Sequence, residues 1–223
     1  MRDIFVSGTP DLGPRSDCVI GYQPRDSGGL EIAVESKVAV MYGKAIRALA
    51  EQTLGELGIA HGSLSIEDFG AVPFVQQARI EAAVKMAHPE LDATSQPELD
   101  LHGQSAAGRD RFRRSRLYLP GSQPKLMLNA GIHQPDAIIL DLEDSVGAGE
   151  KLSARFIVRN ALRVLDFFGA ERMVRINQGE LGSEDLAAIV PQPVDLVLIP
   201  KVETADQVEA VDAEIARICQ AVG

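Results

Sequence analysis

The apolar residues of this chain follow two different patterns, one before and one after residue 114. In the first part, LEIAVES at Leu30–Ser36 alternates between apolar and polar residues, which is typical of a half-buried strand. The next segment, VAVMYGKAIRALAEQTLGELGI, has apolar residues at helical spacing and ends beside Gly58, a common helix stop. SLSIEDFG predicts a further strand, and VPFVQQARIEAAVKMA predicts a further helix. The first part therefore predicts a small α+β domain, residues 1–88.

A polar segment, residues 89–114, follows this domain. It contains two prolines and has no clear hydrophobic period, which indicates a linker. It runs into the basic cluster RDRFRRSR at residues 109–116. We interpret this cluster as a solvated domain junction, with a contact for an anionic cofactor as the alternative.

Residues 115–223 change character, because strongly apolar strands alternate here with helices. The predicted strands are RLYLPG, DAIILDLED, RMVRIN and DLVLIPKVE, and a helical pattern follows each of them. The order βαβαβαβα with continuous apolar strand interiors predicts an α/β fold with a parallel sheet. In such folds the functional residues lie at the carboxyl ends of the strands.

All four strand ends carry polar or charged residues that could act together. An arginine can clamp a carboxylate, an acid with a tuned pKa can move a proton, and grouped carboxylates can hold Mg²⁺. Helix capping by Asp144 or Ser145 and a solvated Lys201–Glu203 pair are the simpler alternatives. The candidate residues, in strand order, are Pro120, Gly121 and Ser122, then Asp141, Glu143 and Asp144, then Arg175 and Asn177, then Lys201 and Glu203.

Composition and charge narrow the function classes. The 223 residues carry a net charge of −10, which argues against sequence-independent nucleic-acid binding, because phosphate contacts need clustered Lys and Arg. The two cysteines lie far apart and predict neither a disulfide framework nor a metal knuckle. No segment has the hydrophobic run of a signal peptide or a bilayer span. We therefore expect a cytoplasmic protein that binds neither nucleic acid nor membranes.

The second part resembles a known family. RSRLYLPGSQPKLMLNAG, DAIILDLEDSV with EKLSAR, VRIN and DLVLIPKVE resemble, in this order, the aldolase and citrate lyase β-subunit (HpcH/HpaI) family. The resemblance implies that residues 115–223 form the first four βα units of a (β/α)8 TIM barrel. It also implies a carbon–carbon lyase for acyl thioesters such as citryl- or malyl-CoA, with Mg²⁺ polarising the carbonyl and stabilising the enolate.

The same resemblance implies roles for the candidate residues. Arg175 matches the arginine that binds the substrate carboxylate, and Lys201 and Glu203 are further substrate-binding candidates. The PGS loop lies where the family holds the pantetheine arm, and the three carboxylates after the second strand line the floor of the site as catalytic candidates. The family's metal ligands come from the two strands after PKVE, so we expect none in this chain. We therefore also expect the isolated chain to have little or no lyase activity.

The first part resembles an acyl carrier. SGT, RSDCVIGYQP and the segment from GLEIAVES to GELGI are similar to the acyl carrier subunit of citrate lyase, and EDFGAVP also resembles the carrier of malonate decarboxylase. The resemblance implies a phosphoribosyl-dephospho-CoA arm on a serine two positions before an aspartate. Here that position is Arg15, and Ser16 stands directly before Asp17. Ser16 is our candidate for attachment, with an ordinary turn serine as the alternative.

Together the resemblances predict a citrate-lyase-type lyase fused to its acyl carrier. The substrate would be a 3-hydroxy-3-carboxyacyl thioester on a phosphoribosyl-dephospho-CoA or CoA arm, and tethering would raise its effective concentration. A homo-oligomer or a complex with citrate-lyase-type subunits is the expected assembly. The first alternative is an acyl carrier or assembly protein without lyase activity of its own. The second is a truncated product whose open sheet edges favour self-association.

Overall fold

A computed structural model describes residues 3–9, 15–100 and 107–222 of the chain. The chain divides into two compact units, residues 1–97 and 98–223. The division lies within the predicted linker, whose first residues belong to the first unit. There the Ser95 amide donates to Glu81 (3.2 Å) and the Ser95 hydroxyl donates to Glu56 (2.6 Å). The boundaries 1–88, 89–114 and 115–223 remain a prediction.

The described part of the first unit is a four-stranded sheet with two helices. Strand β2 pairs antiparallel with β1 and β4, whereas β3 pairs parallel with β4, so the sheet order is β1-β2-β4-β3. Helix α1 connects the two parallel strands, as such a connection requires. The elements are β1 (Phe5–Ser7), β2 (Cys18–Pro24), β3 (Leu30–Ser36), α1 (Ala39–Glu56), β4 (Gly62–Asp68) and α2 (Pro73–Ala87).

One face of this sheet packs against the two helices. Alternate residues of β4 are buried, as its period of two predicts. Ile20 and Ile66 of the sheet join Leu54 of α1 and Val84 of α2 in one apolar core. Helix α1 ends just before Gly58, whose φ of +73° allows the chain to leave the helix.

A buried ion pair crosses this unit. The guanidinium of Arg79 donates to both carboxylate oxygens of Asp17, at 3.1 and 2.7 Å, and the two residues are 0% and 2% exposed. The amide of Cys18 donates to the same carboxylate at 2.8 Å. Burial, followed by the charge of Asp17, raises the pKa of the Cys18 thiol well above its usual value. The aspartate of the RSD segment is therefore fixed from inside the domain.

The described part of the second unit is a parallel four-stranded sheet with a helix after each strand. The strands lie in chain order, β5-β6-β7-β8, and each neighbouring pair is parallel, which confirms the predicted parallel sheet. That these are the first four units of a (β/α)8 barrel remains a prediction. The elements are β5 (Arg116–Pro120), α3 (Pro124–Met127), β6 (Ala137–Asp141), α4 (Lys151–Val164), β7 (Glu171–Arg175), α5 (Gly179–Ile189), β8 (Leu196–Leu198) and α6 (Ala205–Val222), with 3-10 helices at Ala130–His133 and Ala148–Glu150.

The predicted helix SQPKLMLNAGIHQP differs from the observed structure. Only Pro124–Met127 is α-helical, and a 3-10 helix over Ala130–His133 follows. The chain then leaves through Gln134, which has a φ of +49°. A Cβ atom at Gly131 would lie 2.9 Å from the backbone carbon of Phe167, so close packing favours the tighter turn here over a regular helix.

Buried polar contacts join the elements of this unit. Asp185 of α5 is 0% exposed, and its carboxylate accepts from Nε of Arg155 in α4 at 2.7 Å. It also accepts from the amide and the side-chain nitrogen of Asn177, both at 2.8 Å. One carboxylate thus ties two helices to the end of β7. None of the helices in the described residues is long and apolar enough to cross a membrane.

Candidate active site

Three neighbouring strands of the second unit end at the same level. Pro120, Asp141 and Arg175 are register partners in β5, β6 and β7. The chain is held there by backbone hydrogen bonds, from the Gly121 amide to the Asp141 carbonyl (2.7 Å) and from the Leu142 amide to the Arg175 carbonyl (2.9 Å). All five residues of β6 are buried, which is why the apolar run AIIL delivers Asp141 to a fixed position.

Arg175 is the centre of a charged cluster at this edge. Its Nε and Nη2 atoms donate to the two carboxylate oxygens of Asp141, at 2.7 and 2.8 Å. Its Nη1 atom lies 3.2 Å from Glu143 Oε2 and 3.8 Å from Asp144 Oδ2. The guanidinium also lies over the ring of Tyr118, 5.3 Å from the ring centroid. These contacts fix the guanidinium plane and leave Nη1 as its least committed nitrogen.

Lys201 is the second cation of the cluster. Its Nζ atom lies 2.5 Å from Glu143 Oε1 and 2.8 Å from Asp144 Oδ1. Hydrogen bonds to Asp144 and then to Glu143 raise the pKa of Lys201, and the bond from Lys201 lowers the pKa of Asp144. The backbone of Lys201 has a φ of +49°, a conformation that is costly for a residue with a side chain. We name Asp141, Glu143, Asp144, Arg175 and Lys201 the charged cluster.

Asp141 is held ionised by its neighbours. Its burial acts to raise its pKa, but hydrogen bonds from Arg175, from the Ser145 hydroxyl and from the amides of Glu143 and Ser145 outweigh burial. The net result is a pKa lowered from 3.8 to about 2. Asp141 therefore acts as a fixed anion that orients Arg175, and it does not exchange protons near neutral pH.

This shift predicts a pH dependence of stability. Because the folded-state pKa lies below the unfolded value, the contribution of Asp141 is complete above about pH 4 and is lost as the pH falls toward 2. We expect it to be about 2 kcal/mol. Urea unfolding at a series of pH values should show a steeper loss of stability below pH 4 in the wild type than in Asp141→Asn. Parallel curves for the two proteins would contradict the assignment.

The PGS loop lies directly against the end of β6. A Cβ atom at Gly121 would lie 2.7 Å from the Asp141 carbonyl oxygen and 3.0 Å from a methyl carbon of Val158, so a side chain there would force the loop away. Ser122 is 9% exposed. The role of Pro120, Gly121 and Ser122 in holding a thioester arm remains a prediction.

Glu203 lies outside the charged cluster. It is exposed, and its amide donates to the Gln207 side chain at 2.8 Å, as does the neighbouring amide of Thr204 at 3.1 Å. These bonds stabilise the beginning of α6. Among the ion pairs of the described residues, Glu203 pairs with neither Arg175 nor Lys201, so its substrate-binding role remains a prediction without a contact that supports it.

Each of the two parts of the chain matches the model of a known protein family. Residues 114–223 match the model of the HpcH/HpaI aldolase/citrate lyase family. The C-terminal half carries an HpcH/HpaI aldolase/citrate lyase domain. Residues 14–87 match the model of the malonate decarboxylase delta subunit (MdcD), a carrier family. Both predicted resemblances are confirmed.

Curated relatives match the HpcH/HpaI domain at about 40% identity. Citrate lyase subunit beta of Leuconostoc mesenteroides subsp. cremoris is 38% identical over 108 residues, 48% of this chain and 36% of that protein. The same subunit of Haemophilus influenzae is 41% identical over 115 residues, 51% and 40% of the two chains. A (3S)-malyl-CoA thioesterase of Cereibacter sphaeroides is 43% identical over 100 residues, 44% and 35%. The chain thus spans about two fifths of the length of these relatives.

Among solved structures, an esterase aligns with the chain at low identity and low TM-score. The esterase Est1E from Butyrivibrio proteoclasticus aligns over 97% of this chain and 98% of its own, at 13% identity and a TM-score of 0.20.

The charged cluster of the HpcH/HpaI domain does not fit Mg²⁺. Arg175 and Lys201 already contact all three carboxylates, and two cations beside them oppose a third. Glu143 Oε2 is buried and accepts no hydrogen bond, but Nη1 of Arg175 is its neighbour at 3.2 Å. Over residues 3–9, 15–100 and 107–222, no group of three or more His, Cys, Asp and Glu side chains could hold a metal ion.

Three residues that shape the cluster are not among the predicted site residues. Lys151 donates to the carbonyl oxygens of Leu142 and Glu143, at 2.7 and 2.6 Å, and so holds the loop that carries the carboxylates. Ser145 donates to Asp141, where helix capping was the alternative, and Tyr118 packs on Arg175. All three lie in quoted segments, Lys151 in EKLSAR, Ser145 in DAIILDLEDSV and Tyr118 in RLYLPG, but nothing in these segments distinguishes them from their neighbours.

A cavity of about 400 Å³ opens beside the charged cluster of the HpcH/HpaI domain. Residues that follow Arg175 and flank Lys201 line it together with α5 and α6, and most of its wall is apolar, including Leu186, Val202 and Val211. Gln178 lies at its edge, and its side-chain nitrogen Nε2 donates to the Pro200 carbonyl at 3.3 Å. Apolar walls with few polar groups suit the uncharged part of a ligand.

Proposed function

We propose that the HpcH/HpaI domain provides a citrate-lyase-type site for carbon–carbon cleavage and that the first domain is the acyl carrier for its thioester substrate. The observation that carries the proposal is the charged cluster, in which Arg175 and Lys201 meet three carboxylates at the carboxyl edge of the parallel sheet. The similarity to citrate lyase subunit beta and to a (3S)-malyl-CoA thioesterase supports a thioester substrate of the citryl or malyl type.

Arg175 is the residue proposed to bind the carboxylate that leaves with the 2-oxo acid. Asp141 holds two of its nitrogens, which leaves Nη1 for a ligand. A substrate carboxylate at Nη1 would replace Glu143 and Asp144 there. A substrate carboxylate that binds Nη1 of Arg175 would therefore free the buried carboxylate of Glu143 beside it.

Glu143 is the proposed proton acceptor. It is 7% exposed, and its Oε2 atom accepts no hydrogen bond. Once freed from Arg175, it would take the proton of the substrate 3-hydroxyl group, the bond between C2 and C3 would break, and the hydroxyl carbon would become the carbonyl of the 2-oxo acid. The electron pair stays on the thioester enolate, where Lys201 supplies positive charge, and a proton then returns to C2.

The lyase proposal is tested by binding and by turnover. Binding of oxaloacetate, as a 2-oxo acid, should be about tenfold weaker or worse in Arg175→Gln, because the charged hydrogen bond from Nη1 is lost. Arg217→Gln, an exposed arginine on α6, is the matched control. Cleavage of citryl- or malyl-CoA is measured with and without Mg²⁺, and we expect weak turnover because the cluster does not fit the metal. Equal oxaloacetate binding by the two variants would defeat the assignment of Arg175.

The second candidate function is an acyl carrier or assembly protein without lyase activity of its own. The full pairing of Arg175 and Lys201 within the cluster favours this candidate. Both candidates share the proposed attachment of a phosphoribosyl-dephospho-CoA arm to Ser16. The hydroxyl of Ser16 has no hydrogen-bond partner among the described residues, and its amide is held by the Phe69 carbonyl at 3.1 Å.

Intact-mass measurement tests the carrier. After expression in a citrate-fermenting host, we expect an added prosthetic-group mass on the wild type that is absent from Ser16→Ala. Ser27→Ala, at an exposed serine in a turn, should keep the added mass. A wild-type chain of unmodified mass would contradict covalent attachment.

A further inference from the structure

Three segments of the first unit meet at the carboxyl edge of its parallel strands. β3 and β4 are parallel, and their last residues, Ser36 and Asp68, are register partners. β2 runs antiparallel to β4, and its first residue, Cys18, pairs with Asp68. Ser16, two residues earlier, therefore lies at the same edge, where its amide donates to Phe69. These three segments therefore surround one edge of the sheet.

A cavity of about 370 Å³ opens at this edge, a volume typical of small-molecule sites. It lies beside the candidate attachment residue, since both Arg15, which precedes Ser16, and Phe69, which holds its amide, line the wall. The residues that line it are Arg15, Ser36, Lys37, Val38, Asp68, Phe69 and Gly70.

The wall of the cavity carries two exposed cations. Arg15 and Lys37 are exposed, and neither has an ion pair or hydrogen bond with another described residue. Both lie in a chain whose net charge is −10. Positive charge with exposed donors is the chemistry that recognises phosphate.

Asp68 is the anion in the same wall, and it is already fully engaged. Its Oδ2 accepts from the Ser36 hydroxyl at 2.7 Å, and its Oδ1 accepts from the amides of Gly70 and Ala71 at 3.1 and 2.8 Å. It is 3% exposed. These donors compensate its charge and join the ends of β3 and β4, so the surface offered to a ligand is that of Arg15 and Lys37.

We propose that this cavity binds the phosphate of a CoA-type arm, with Arg15 and Lys37 as its cationic contacts. The proposal rests on the proposed carrier function and deepens it. The arm has two sources that share this chemistry, a covalent arm on Ser16 and a free CoA-type nucleotide. In both cases the cavity holds the charged end of the arm at the carrier domain and leaves the thioester end free to reach a catalytic site.

Calorimetric titration of the full chain with 3′-dephospho-CoA at low salt tests the cavity. The protein is produced in a host without a citrate lyase system, so that Ser16 is unmodified. Four proteins are compared: the wild type, Ser16→Ala, the double variant Arg15→Gln/Lys37→Gln, and the double variant Lys44→Gln/Arg47→Gln. The last is the matched control, because it removes two exposed cations of α1 that do not line the cavity. Circular dichroism melts confirm that each variant is folded.

We expect the wild type, Ser16→Ala and the control to bind alike and Arg15→Gln/Lys37→Gln to bind roughly tenfold more weakly or worse. Inorganic phosphate should compete with the nucleotide. Equal binding by Arg15→Gln/Lys37→Gln and the wild type, or no binding by the wild type, would overturn the proposal.

The intact-mass experiment then separates the two sources. Binding together with an added mass on Ser16 supports the cavity with a covalent arm. Binding without an added mass supports the cavity with a free nucleotide and rejects attachment to Ser16. An added mass without any contribution of Arg15 and Lys37 to binding rejects the cavity and leaves the carrier function intact.

Discussion

Replacement of Arg79 by methionine is expected to destabilise the first unit by about 3–5 kcal/mol, because it leaves a buried carboxylate without its counter-ion. Arg79 is 0% exposed and Asp17 is 2% exposed, so water cannot replace the lost hydrogen bonds. Asp17 also anchors the start of β2 through the Cys18 amide. Loss of the ion pair should therefore loosen the strand that follows the candidate attachment residue.

Urea unfolding and amide hydrogen exchange of the full chain measure this effect. The Cys18 amide should exchange much faster in Arg79→Met than in the wild type. Arg47→Met, at an exposed arginine of α1, is the control and should change neither quantity. The double variant Asp17→Asn/Arg79→Met should recover part of the stability, since it leaves no unpaired charge. Equal instability of the single and double variants would show that Arg79 stabilises the unit by packing and would contradict a role for charge pairing.

Replacement of Arg175 by methionine is expected to cost about 3 kcal/mol at neutral pH. Asp141, which is 1% exposed, and Glu143, which is 7% exposed, would lose a shared cation. Burial acts to raise the pKa of Asp141, so removing the hydrogen bonds from Arg175 should move that pKa upward from about 2. The free energy of unfolding and the pKa of Asp141 should therefore both change in Arg175→Met.

The pH dependence distinguishes this cause from simple loss of packing. The wild type loses the Asp141 contribution as the pH falls from about 4 to 2, whereas the variant has little of it to lose. The stability difference between the two proteins should therefore shrink on acidification. Arg217→Met removes a similar two-point contact to Glu214 at an exposed position, and it should change stability little at any pH. A difference that stays constant down to low pH would argue for packing.

The sequence predicts which strands carry the site residues and that these strands are neighbours. It does not predict which side chains of the site contact each other. The apolar run before Asp141 predicts a buried strand, and the order of strands and helices predicts parallel neighbours, so Arg175 and Lys201 are expected near the carboxylates. Which oxygen meets which nitrogen depends on side-chain rotamers and on the loop held by Lys151, which leave no pattern in the sequence. For the same reason, the ion pairs that Arg175 and Lys201 form with the three carboxylates could not be predicted from the sequence.

The residues at the end of the first unit are a second feature that the hydrophobic pattern does not predict. Residues 89–97 have no hydrophobic period and contain two prolines, which predicts a linker. The structure includes them in the first unit, where Ser95 is 0% exposed and donates to Glu81 and Glu56. A segment that is held by hydrogen bonds needs no periodic apolar residues, so hydrophobic periodicity does not detect it.

The Asp185 carboxylate also limits how this sequence can diverge. It serves Arg155 and both nitrogens of Asn177 at once, and each of these groups is buried or nearly so. A longer, shorter or neutral side chain at position 185 would leave at least one donor unsatisfied. Substitutions at positions 155, 177 and 185 should therefore be accepted jointly or not at all. In a set of descendants of this sequence, these three positions would change as a single unit, although residue 177 belongs to the VRIN motif and residue 185 to no motif.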